Sequence, residues 1–146
     1  SCSLVGSEMC IRDRHKVTRL VLNHDYRMPA VPKNVRRAMN KIGEDIFPYY
    51  MEVRRADVLA QSEYRRAEKL KNLDEVEQTY AEIIEKGQCV SLKELAVTGR
   101  DLIRAGMKPG KEIGEKLNEL LNLVIENPEM NTRETLLNYI STDKEV

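Results

Sequence analysis

From His15 onward, apolar residues recur every three to four positions in separate segments, the period of amphipathic helices. Val17, Leu20, Val21 and His24 form a short first stripe that MPAVP interrupts. The pattern restarts at Pro32 with Val35, Ala38, Met39 and Ile42 on one face. Lys33, Arg37 and Lys41 fall in an i, i+4, i+8 line on another face, a basic ridge that ends at Gly43. The next helix is expected from Glu44 to about Ala60, with acidic residues at its positive end and Pro48 tolerated near its first turn. Its stripe reads Ile46, Tyr50, Val53, Asp57 and Ala60, which turns Asp57 inward. A buried carboxylate costs several kcal/mol without a partner, so Asp57 should meet a cation, a metal, or a hydrogen-bond donor on a neighbouring side chain or amide.

The longest helix is expected from about Glu63 to Lys86 on Leu70, Leu73, Val76, Tyr80, Ile83 and Ile84, stopped by Gly87. Arg65, Arg66 and Lys69 crowd its start, where cations oppose the helix dipole unless a phosphate or a protein carboxylate lies close. Ser91 with Glu94, and Thr98 with Asp101, both have capping-box spacing and predict two short helices. Gly106 fits a left-handed C-terminal cap, and Pro109 the first turn of a helix running to about Glu126 on Ile113, Leu117, Leu120, Leu121 and Val124. Gly110 and Gly114 leave one flank of that helix bare. With Lys108 and Lys111 beside them, the flank suits either a phosphate on exposed amides or close helix packing through Gly114. A final capped segment, Asn131 to Ile140, follows Pro128. The fold class expected is all-α, an irregular bundle of about six to eight helices with no significant sheet.

Composition supports that class. The chain has one Phe and no Trp, is 33% charged, and lacks the aromatic and β-branched density of a sheet protein. No apolar run reaches the ~18 residues of a membrane span, which points to a cytoplasmic protein with no membrane partner. Three cysteines in no metal or disulfide spacing add no framework. The zero net charge hides an asymmetry: His15 to Asn72 holds thirteen Lys or Arg against seven acids, and Leu73 to Val146 nine against fifteen, so the halves carry +6 and −6. Such a split hints at nucleic acid on the basic half. The first fourteen residues, SCSLVGSEMCIRDR, show no period and resemble adaptor-derived peptide from environmental reads. They are expected to be a foreign, disordered leader, with the natural protein continuing upstream of His15.

ADVLAQS, and downstream GQCVSLKELAVTGRDLIRAGMKPGKEIGEKLNELL, resemble the carboxyl half of bacterial CCA-adding tRNA nucleotidyltransferases that carry an HD-type domain in their middle. The resemblance runs from about Lys16 to about Ile140 and is carried most specifically by Leu95, Gly99, Asp101, Leu102, Gly106, Pro109, Gly110, Ile113 and Gly114. It implies residues 15–62 as the end of an HD-type helical domain and residues 63–146 as the helical body and tail that holds the tRNA elbow and acceptor arm. It also implies an amino-terminal catalytic domain, with magnesium, ATP and CTP, that this chain lacks, so that the chain alone would add no nucleotides and hold no cofactor. The expected RNA contacts are Lys33, Arg36, Arg37, Lys41, Arg54, Arg55, Arg65, Arg66, Arg100, Lys108, Gly110 and Lys111. The last metal-binding aspartate of the HD domain maps onto Asp57, with His24 and Asp25 as further candidates. The alternative this leaves is a metal-dependent phosphohydrolase fragment.

Overall fold

A computed structural model of the chain describes residues 7–23, 27–61 and 63–144. Seven α-helices follow one another among the described residues: α1 (Ser7–Asn23), α2 (Pro32–Ile42), α3 (Phe47–Ala60), α4 (Arg66–Glu85), α5 (Gly99–Arg104), α6 (Lys111–Glu126) and α7 (Arg133–Lys144). Single 3-10 turns at Leu92–Glu94 and Pro128–Met130 complete the order, and no strand occurs among the described residues, as an all-α bundle requires. The chain divides into two compact units, Ser1–Ile83 and Ile84–Val146.

In the first unit α2 forms as its pattern dictates. Val35, Ala38, Met39 and Ile42 are all fully buried, and Lys33, Arg37 and Lys41 are exposed on the opposite side. The α3 stripe differs from expectation. Pro48 fixes the first turn so that the helix starts at Phe47, and its buried residues are Phe47, Tyr50, Met51, Arg54 and Val58. Val53 and Ala60 therefore face outward, and Asp57 moves off the buried face to the edge, its side chain 43% exposed. Rings lock α3 to α4: Phe47 stacks on Tyr80 with centroids 4.9 Å apart and lies 5.7 Å from Tyr50. Arg55 reaches across to Asp74 at 2.8 Å and Glu77 at 2.9 Å. These contacts join α3 to the middle and later turns of α4.

Helix α1 begins at Ser7, and its helical backbone continues through His15 to Asn23. The apolar stripe expected on it is not core: Val17 and Val21 are exposed, and Leu20 is half-buried. His24 of that stripe lies outside the described residues.

The second unit is built on Leu102, Leu120, Leu121, Val124, Ile125, Leu136 and Ile140, with Cys89, Leu95 and Val97 packed among them. The Thr98–Asp101 capping box forms: the Thr98 amide donates to Asp101 Oδ2 at 2.9 Å. At the other end of α5, Gly106 adopts φ 95°, its amide donates to the Ile103 carbonyl, and the Met107 amide to the Leu102 carbonyl, the paired bonds of a Schellman cap. The helix expected at Ser91 is only a 3-10 turn; the Glu94 carboxylate accepts the Val90 amide at 2.8 Å, and the chain leaves helical geometry at Leu95. The cap of α7 is Thr132, whose hydroxyl accepts the Thr135 amide. Asn131 is used otherwise. Its Oδ1 accepts the Ala96 amide at 2.8 Å and its Nδ2 donates to the Glu94 carbonyl at 3.0 Å, tying two irregular segments together.

Asp101 is the electrostatic hinge of this unit. Besides the Thr98 amide and hydroxyl it faces Arg133 at 2.8 Å, and the Thr98 hydrogen bonds first, then Arg133, hold its carboxyl below its usual 3.8. A depressed folded pKa adds stability that is present above the unfolded value of about 4 and is lost as pH falls through the lower folded value. Thermal melts of wild type and Asp101→Asn should therefore differ at neutral pH, with wild type higher, and converge in acid once the Asp101 carboxylate is protonated in the folded protein too. Melts that stay equally far apart in acid would remove Asp101 from this role.

Candidate nucleic-acid interface

The basic residues expected to contact RNA fall into three groups. On α2, Lys33, Arg37 and Lys41 are exposed on a helix whose other face is locked into the core, while Arg36 points inward at 5% exposure. Two turns of helix separate Lys33 from Lys41, about 12 Å at the α-helical rise. The ridge is thus a straight row of cations on a rigid support.

The second group, on α3 and the start of α4, is committed to protein partners. Arg54 is 8% exposed and its Nη1 lies 3.2 Å from Asp57 Oδ2. Arg55 is held by Asp74 and Glu77, and the Asp74 hydrogen bond in particular raises its pKa. Arg65, at φ 55°, grips Glu68 with two bonds of 2.7 Å. Arg66 donates through Nη2 to the Gln61 carbonyl at 2.7 Å, and its Nε is a buried donor with no partner in the structure. The crowd of cations at the start of α4 thus meets a carboxylate and a carbonyl of the protein itself. These arginines are structural bonds first.

Asp57 is paired although, at the edge of α3 with its side chain 43% exposed, it is not the buried carboxylate that was expected to require a partner. It accepts from Arg54 and from Gln61 Nε2 at 2.9 Å, and Gln61 Oε1 in turn accepts from Lys69 Nζ at 3.0 Å. Among the described residues no group of three or more His, Cys, Asp or Glu is placed to hold a metal ion. His24 and Asp25 lie outside the described residues.

The third group surrounds the start of α6. Arg100, Lys108 and Lys111 are exposed, and Lys111 lies 3.4 Å from Glu115. Gly110 precedes the helix at φ 146°, and Cβ atoms built at Gly110 and Gly114 would meet nothing within 4 Å. The bare flank is therefore open, and the packing reading of Gly114 does not hold. Close packing occurs instead at Gly99, where a Cβ would lie 3.1 Å from Ile113 Cγ2, so α5 and α6 meet through the glycine that opens α5. Gly114 in open helix interior should accept alanine with a gain of about 1 kcal/mol. Urea unfolding of Gly114→Ala checks this; a loss of stability would show that the flank is occupied.

Sequence reasoning missed Lys71 on α4 and Arg27 before α2 as basic surface, and it missed Asn131 as a structural clamp. Nothing in local periodicity distinguishes Lys71 or Arg27 from ordinary solvated residues. Cys89, the buried cysteine, is inert: burial first, then Glu94, pushes its thiol up to about 11, and the thiol donates to the Ser91 carbonyl at 3.3 Å. No helix of the described residues is long and apolar enough to cross a membrane.

The sequence model of the family described as tRNA nucleotidyltransferase domain 2, putative, matches residues 45–140, from the start of α3 into α7. No curated protein and no solved structure matches the chain significantly.

Proposed function

This chain belongs to the family of tRNA nucleotidyltransferase second domains, a region of tRNA-processing proteins, and from that premise we propose that it grips tRNA for a CCA-adding or related 3′-end enzyme. The observation that carries the reading is the α2 ridge, three exposed cations in register on a helix with a fully buried opposite face. A-form RNA is held through phosphates and 2′-hydroxyls more than through base edges, so a rigid row of cations serves without sequence readout. Arg100, Lys108 and Lys111, with the open amides at Gly110, supply a second set of the same chemistry. The contacts are assigned to the backbone of the elbow and acceptor arm.

Nucleotide transfer needs metal-bridging carboxylates beside a phosphate cradle. That chemistry, with magnesium, ATP and CTP, is assigned to a preceding domain of the same protein, and residues up to about 62 to the end of an HD-type domain. Replacing Lys33, Arg37 and Lys41 together by glutamine tests the assignment. Far-UV circular dichroism should be unchanged. Affinity for tRNA should fall at least about tenfold, and the dependence of log K on log salt should become shallower by about 2–3. An unchanged salt slope would move the contact away from α2.

A further inference from the structure

We infer that the first unit carries a binding pocket for a phosphomonoester joined to a flat apolar body, the chemistry of a nucleoside monophosphate, either free or at the 5′ end of an RNA. A pocket of about 450 Å³ is bounded by the segment before α2, by α3 and by α4, a volume within the range of small-molecule sites. Its floor is apolar, formed by the buried side chains of Met28, Tyr50, Met51, Leu73 and Val76. Five cations line it, Arg27, Arg54, Arg65, Lys69 and Lys71, against two acids, Glu68 and Glu75.

The pairing within the wall decides the sign of the site. Glu68 is consumed by Arg65, and Arg54 faces Asp57. Lys69 donates to the neutral amide oxygen of Gln61, and Arg27 and Lys71 have no carboxylate within ion-pair distance among the described residues. Three cations thus stand round an apolar floor with Glu75 as the one acid left to offset them. Arg27 and Lys71 are exposed and Lys69 is half-buried, so the three like charges face the pocket from its rim, where a bound dianion offsets their mutual repulsion. The apolar floor asks for a ring rather than a bare anion, and together the two features specify a phosphate with a planar body. Arg65, the one described non-glycine residue with positive φ, sits on this wall, as strained residues do at ligand clamps.

The inference does not rest on tRNA binding, because the pocket is addressed by a mononucleotide and the α2 ridge by folded RNA. The test is a titration of the full chain, in EDTA, with AMP, adenosine, ribose 5-phosphate and inorganic phosphate, following the methyl resonances of Met28 and Met51. AMP is expected to shift both signals with a Kd of about 1 mM or tighter, with each of the other three at least about tenfold weaker. Lys71→Gln and Arg27→Gln should each weaken AMP about threefold or more while leaving the circular dichroism spectrum intact. A 5′-phosphorylated dinucleotide binding as well as AMP assigns the site to an RNA end, and its failure assigns it to free nucleotide. Absence of AMP shifts at about 10 mM, equal binding of inorganic phosphate, or insensitivity to both substitutions would overturn the proposal.

Discussion

Phe47→Ala should destabilise the first unit by about 3–5 kcal/mol, a large part of the stability of a domain this size. Phe47 is the only phenylalanine of the chain, is 0% exposed, and stacks on Tyr80, so one side chain supplies much of the contact between α3 and α4. Its removal leaves a cavity bordered by two rings that cannot collapse without moving a helix, and it forfeits a ring–ring attraction of about 0.5–1.5 kcal/mol besides the burial itself. Tyr64, an aromatic residue of the same unit that is 75% exposed, is the control, and Tyr64→Ala should stay within about 0.5 kcal/mol. Denaturant unfolding with amide exchange in α3 and α4 reads both. A loss below about 1 kcal/mol for Phe47→Ala would mean that the rings do not pack as described.

Leu120→Ala is the corresponding change in the second unit, with an expected loss of about 3 kcal/mol, within the range for leucine truncation in a core. Leu120 is 0% exposed and lies in the cluster with Leu102, Val124, Leu136 and Ile140, where α5, α6 and α7 converge. Ile103, next to Leu102 on α5 but facing solvent, supplies the control, and Ile103→Ala should change stability by less than about 0.5 kcal/mol. Amide exchange should rise across α6 and α7 in Leu120→Ala, because the elements that share a core open together. Exchange confined to the substituted turn would argue against one cooperative cluster.

The sequence made some of this legible and hid the rest for identifiable reasons. Helix α2 could be read apart from Arg36, because its apolar residues and Lys33, Arg37 and Lys41 occupy opposite faces, so periodicity alone set both the apolar core and the ridge. Helix α3 could not. Ile46 is buried but precedes the helix, and counting the stripe from it rotated the face by one position, which put Val53 and Asp57 inside and left Arg54 outside. An arginine at an inward position reads as a surface residue until its partner is seen. The same blindness covered Arg36, and it covered Arg55, whose carboxylates lie on α4. Helix-end chemistry was legible where it is local, as at Thr98 and Gly106, and failed at Ser91, where Glu94 bonds back to Val90 but the chain does not continue as α-helix. Glycine spacing indicated close backbone approach somewhere near α6; that it happens at Gly99 and not Gly114 depends on which helix crosses which, a tertiary fact.

The family assignment and the α2 ridge converge on RNA held by its backbone, and the binding of tRNA by the purified chain across a range of salt concentrations is the most direct test. The logarithm of the association constant should fall linearly with the logarithm of salt, with a slope of about −2 to −5 set by the number of phosphates neutralised. Binding that is indifferent to salt, or no binding even at low ionic strength, would contradict a phosphate-led grip on tRNA.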